Sequence, residues 1–159
     1  MTAYCDTSFF LRQLLPGNER DMAMEIAADL EDHLGFVPIT SFTRFEVIQA
    51  LRFEAWRYRN DRSKGLPPGQ IETALSLFLA EIGSSFQIVP VLWETVFAQA
   101  ELFTRSTPEM GWRTVDLVHV AAATSMQAKE FFSFDGQQNQ LAGQQGLKTL
   151  LATPPKSLA

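Results

Sequence analysis

Cysteine and histidine are scarce: one Cys and two His stand in 159 residues. Cys5 has no partner for an internal disulfide, which suits a reducing compartment. Its place among apolar strand residues makes it a packed side chain rather than a reactive thiol. So few Cys and His also exclude a zinc cluster built from them. No apolar run approaches the roughly 20 residues of a membrane span. The first residues read directly into a strand, with no basic-then-apolar leader. A cytoplasmic protein with no membrane segment is therefore expected. Positive charge is also short, with a net charge of −5, which argues at first against a polyanionic ligand.

What is present changes that reading. Hydrophobic residues make up 46% of the chain, enough for a core and against wholesale disorder. The length fits one domain over residues 1–152, followed by a Pro-Pro tail at 153–159. Charge is unevenly distributed. Residues 1–40 carry two cations against seven carboxylates, whereas residues 41–65 carry six (Arg44, Arg52, Arg57, Arg59, Arg62, Lys64) against three. A basic surface beside an acidic pocket is therefore possible, although a solvated helix face is the blander explanation of the charge run.

Short apolar runs alternate with helical patterns. Strands are expected at 2–6, 36–40, 86–91, 130–134 and 147–151. Helices are expected at 8–15, 20–34, 41–59, 71–82, 93–103, 114–128 and 139–144. In the second helix Met22, Ile26 and Leu30 mark the apolar stripe and Gly35 the stop. Ser41 or Thr43 can cap the third. The alternation predicts an α/β domain with a mostly parallel central sheet of about five strands. Ligands of such sheets collect at the carboxyl ends of the strands.

Most of the 18 acidic residues suit solvated helix faces; four are awkwardly placed. Asp6 ends the first strand and Asp135 the fourth. Asp116 opens a helix that is apolar nearly all round, and Glu46 shares a helix face with Phe42, Ala50 and Phe53. Each has an ordinary explanation: an N-cap for Asp6 and Asp116, a turn with Gly136 for Asp135, a salt bridge to Arg44 or Arg113 for Glu46. His119 reads as a hydrogen-bonded core residue. Together, four carboxylates at one rim would repel one another. A hard divalent cation with oxygen ligands, magnesium or manganese, resolves this.

Four blocks then resemble the PIN-domain family, and within it the VapC-type toxin ribonucleases. They are Tyr4-Cys5-Asp6-Thr7-Ser8-Phe9-Phe10-Leu11, Ser41-Phe42-Thr43-Arg44-Phe45-Glu46-Val47, Thr114-Val115-Asp116-Leu117-Val118-His119-Val120-Ala121 and Phe132-Ser133-Phe134-Asp135 with Gly146-Leu147 downstream. The resemblance covers nearly the whole chain and implies a three-layer α/β/α fold. It assigns Asp6, Glu46, Asp116 and Asp135 as metal-binding catalytic residues, with Thr7, Ser8 and Ser133 in support. It implies magnesium- or manganese-dependent hydrolysis of RNA to 5′-phosphate and 3′-hydroxyl ends, with Arg44, Arg52 or Arg113 as phosphate contacts. It further implies a cognate antitoxin and a homodimer. The arginine-rich stretch between Phe53 and Gly69 looks longer than a minimal member needs. A haloacid-dehalogenase-type phosphatase would want a second Asp where Ser8 stands, and a receiver-like domain would want a late lysine near Asp135. A non-catalytic PIN-like scaffold that binds RNA or protein is the remaining alternative.

Overall fold

A computed structural model describes residues 3–106 and 111–150. The chain divides into two compact units, one made of Met1–Asp6 and Pro90–Ala159, the other of Thr7–Val89. The expected tail at 153–159 lies outside the described residues, as does the end of the strand expected at 147–151.

The first unit holds β1 (Ala3–Cys5), α5 (Trp93–Ser106), α6 (Thr114–Ser125), β4 (Glu130–Phe132), α7 (Gly136–Gln144) and β5 (Lys148–Thr149). Its strands form a parallel sheet in the order β1-β4-β5, with Tyr4 opposite Phe131 and Phe131 opposite Thr149. The Asp6 amide extends the ladder by donating to the Phe132 carbonyl at 3.1 Å. Tyr4 and Phe131 stack at 5.5 Å between centroids. Both are buried, as is Cys5, whose thiol is pushed well up from its ordinary pKa by burial and by the Asp6 charge. Cys5 therefore stays a neutral packing group. From Asp116 to Ala123 every residue of α6 is buried, and its run of alanines allows the close packing seen against α5.

The second unit holds α1 (Thr7–Leu14), α2 (Arg20–Leu34), β2 (Val37–Ile39), α3 (Ser41–Asn60), α4 (Pro68–Glu81) and β3 (Phe86–Ile88). Strands β2 and β3 pair in parallel, Val37 opposite Phe86. Phe10 anchors the core, edge-on to Phe9, Phe78 and Phe86 at 5.1–6.1 Å. Helix α2 runs over the expected span and ends at Gly35, whose φ of +81° is left-handed. Its buried stripe, however, is Ala23, Ala27 and Leu30, while Met22 is exposed. Alanines let the helix approach its neighbours closely, and the longer Met22 is turned to solvent. At the far end of α3, Gly65 lies so near the helix that a Cβ would sit 2.2 Å from the Glu54 carbonyl oxygen. With φ at +68° as well, only glycine fits.

Three further expectations need correction. Among the described residues the five strands are all parallel but hydrogen-bond as three and two, not as one ladder; each is only two or three residues long. Helix α3 is capped by Thr40, whose Oγ1 accepts from the Thr43 amide at 3.0 Å, rather than by Ser41 or Thr43. Helix α4 starts at Pro68 rather than Ile71, because proline at the first helical position gives up no hydrogen bond. Among the described residues, no helix is long and apolar enough to cross a membrane.

Candidate metal centre

Asp6 follows β1 and is fully buried. One of its oxygens, Oδ2, accepts a hydrogen bond from Ser133 Oγ at 2.7 Å. Ser133, also buried, follows β4, the strand paired with β1, so the parallel ladder brings the two side chains to the same carboxyl-terminal rim. The same hydroxyl accepts from the Asp135 amide at 2.9 Å. Asn139 Nδ2 donates to the Ser133 carbonyl at 2.8 Å. Ser133 thus links the Asp6 carboxylate to the backbone of Asp135.

Asp135 combines two roles. As the N-cap of α7, its Oδ1 accepts from the amides of Gln137 (2.9 Å) and Gln138 (3.2 Å), which replaces the turn role weighed from the sequence. Its Oδ2 accepts from Arg113 Nη2 at 2.6 Å. Partial burial pushes this carboxyl's pKa up, but the two amides and Arg113 outweigh it and hold it below the ordinary value.

Asp116 is fully buried and is not an N-cap. Helix α6 starts two residues earlier and is preceded by Arg113 as its cap residue. Both Asp116 oxygens accept from Arg113, Nε to Oδ2 and Nη2 to Oδ1, each at 2.9 Å. One guanidinium therefore bridges Asp116 and Asp135, and its own pKa rises in consequence. This two-point fork is the geometry Arg makes with carboxylates best. Arg113 is therefore the partner of Asp116 and Asp135. The i,i+3 spacing of Arg113 and Asp116 at a helix start was the signal for the pairing observed.

His119 is a buried, hydrogen-bonded core residue as expected, with Nδ1 2.8 Å from Tyr4 Oη. In the second unit, the Thr7 hydroxyl donates to the half-buried Glu46 Oε2. Ser8 is half-buried on α1, Arg52 is exposed, and Arg44 is half-buried. Arg44 Nε is enclosed without a hydrogen-bond partner.

Among the described residues no group of three or more Asp, Glu, His or Cys side chains is spaced to hold a metal ion. The donor chemistry nevertheless suits one. Asp6 and Asp116 are buried carboxylates, whose charge is costly unless compensated, and at Asp116 and Asp135 a cation, that of Arg113, already sits. All available donors are oxygens, which suits magnesium or manganese. Ser133→Ala removes the link between Asp6 and Asp135. It is expected to weaken Mn2+ affinity by about 10–100-fold, as loss of a group that orients ligands does, measured by calorimetric titration.

A family model described as PIN domain matches residues 3–144. Among solved structures, the crystal structure of Mycobacterium tuberculosis VapC20, titled a sarcin–ricin loop cleaving toxin, is similar with a TM-score of 0.59 and 16% identity. The alignment covers 87% of this chain and 94% of VapC20. No curated protein matches.

Proposed function

Because the chain belongs to the PIN-domain family, we propose that it is a magnesium- or manganese-dependent endoribonuclease, the toxin of a type II toxin–antitoxin pair. The observation that carries this reading is the link from buried Asp6 through buried Ser133 to half-buried Asp135, joined through Arg113 to buried Asp116. The likeness to VapC20, described as a sarcin–ricin loop cleaving toxin, supports reading the chain as a cleaving toxin, and RNA as its substrate follows from the family resemblance.

Asp6, Asp116 and Asp135 would hold the cation. Glu46 is assigned to the same set on the resemblance of Ser41–Val47 to the family's second block, and Thr7 fixes its carboxylate. When bound, a divalent cation neutralises phosphate charge and lowers the pKa of water for in-line attack. Ser133 keeps Asp6 and Asp135 in register, and Arg113 holds Asp116 and Asp135 against their mutual repulsion. Arg44, half-buried on α3, is assigned as a phosphate contact on the family resemblance. Residues 1–152 act as one nuclease domain, a reading supported by a family match that runs across both units. A homodimer in the cytoplasm, silenced by an antitoxin segment, follows from the family resemblance.

A non-catalytic scaffold is the second reading, and the neutralisation of Asp116 and Asp135 by Arg113 favours it. Incubation of mixed single-stranded RNA with the full chain separates the two. The hydrolase reading expects products with 5′-phosphate ends in magnesium and none in EDTA. Undiminished cleavage in EDTA would sink it, and so would intact RNA in both.

A further inference from the structure

Helix α3 carries a ridge that neither its core packing nor the metal centre uses. At 100° per residue, Phe45, Arg52, Phe53, Trp56 and Arg59 fall within an arc of about 120°. The helix buries the opposite side, through Thr43, Val47, Leu51 and Ala55. The three aromatic rings of the ridge are 64%, 48% and 55% exposed (Phe45, Phe53, Trp56). Phe53 and Trp56 lie nearly parallel, centroids 5.3 Å apart and planes 17° from one another. Both arginines are exposed, whereas the neighbouring Arg57 is turned away to pair with Glu54. Glu54 falls well outside the arc, and Glu46 borders it about 20° beyond Phe53.

Exposed apolar area of this extent marks a contact surface, and its chemistry selects the occupant. Flat rings set beside unpaired guanidiniums match what unpaired bases and a phosphate backbone require: faces to stack on and cations for the strand. A second copy of the chain fits poorly. An isologous contact centred on this ridge would set Arg52 against its own copy. We propose that the α3 ridge is a stacking platform for single-stranded RNA. The ridge begins at Phe45, one residue before the proposed ligand Glu46, and spans about 21 Å to Arg59 at 1.5 Å per residue. It is long enough to hold several nucleotides of a bound strand. This inference deepens the RNA-hydrolase reading above and rests on it.

The test uses the full chain in EDTA, so that RNA stays intact, and a fluorescein-labelled mixed-sequence RNA of about 20 nucleotides. Anisotropy gives the dissociation constant for wild type, Phe53→Ala/Trp56→Ala and Arg52→Gln/Arg59→Gln. Removing the ring pair should weaken binding at least about tenfold, the effect of losing one stacked base. Removing both arginines should make the slope of log K against log salt shallower by about 1.4, as loss of two phosphate contacts to a single strand does. Light scattering of the same samples should give one mass for all three proteins. Equal RNA affinity in all three overturns the proposal. So does a fall in mass of either variant with RNA affinity unchanged, which would make the ridge a protein contact. Magnesium-dependent cleavage with ridge-independent binding overturns the platform alone; ridge-dependent binding without any cleavage sinks the hydrolase reading and leaves the platform standing.

Discussion

Asp116→Asn is expected to lower magnesium-dependent RNA cleavage by at least about 100-fold, because losing a ligand costs more than losing a group that merely orients one. The change is nearly isosteric. It keeps one oxygen to accept from Arg113, whose Nε and Nη2 both lie 2.9 Å from the carboxylate, and it removes a charge from a fully buried site. Folding should therefore survive, and the loss should fall on the chemistry. Asp21→Asn, on an exposed position of α2, serves as the control and should cleave at the wild-type rate. The check is the initial rate on a labelled RNA, with far-UV circular dichroism confirming the fold. Equal rates for Asp116→Asn and Asp21→Asn would remove Asp116 from the proposed centre.

Arg113→Gln is expected to destabilise the protein in EDTA and to make it unusually responsive to metal. Breaking a buried ion pair by removing one partner typically costs about 3–5 kcal/mol. Arg113 itself is 60% exposed, so solvent screens part of the interaction and about 2 kcal/mol is the better figure. For a chain of this size that lowers Tm by about 5 °C. The cost arises because Asp116, with no exposed surface, loses its only cation among the described residues, while Asp135 keeps the Gln137 and Gln138 amides. A divalent cation can supply the missing charge. Saturating Mn2+ should therefore raise the Tm of the variant by several degrees more than that of the wild type. A variant as stable as wild type in EDTA, with an equal response to Mn2+, would mean that Arg113 compensates nothing.

How far these features could be read from the sequence depends on the range of the signal. Asp6, Asp116 and Asp135 stand out because polar groups at strand ends and within an apolar helix violate the surrounding pattern, whereas Ser133 is marked only by the resemblance of its block to the family. The parallel ladder between β1 and β4 then joins Asp6 to Ser133 across 127 positions of sequence. Topology alone implied that meeting. The pairing of Arg113 with Asp116 is local, an i,i+3 step at a helix start, but the same spacing fits other roles for an arginine. The bridge onward to Asp135, 22 residues away, has no spacing rule to reveal it. In α2 the period and Leu30 are as expected, but the buried stripe is turned one residue away from Met22. Met22, Ile26 and Leu30 form a stripe as regular as Ala23, Ala27 and Leu30, and only close packing selects the alanines. The division of five short strands into ladders of three and two depends on hydrogen bonds that strand patterns do not specify.

The central claim is that the linked Asp6, Asp116 and Asp135 form a divalent-cation centre, and calorimetric titration of Mn2+ into the metal-free chain tests it most directly. The account predicts saturable binding by the wild type and loss of that binding in both Asp6→Asn and Asp116→Asn. Binding that is unaltered in the two variants, or absent from the wild type, would contradict it.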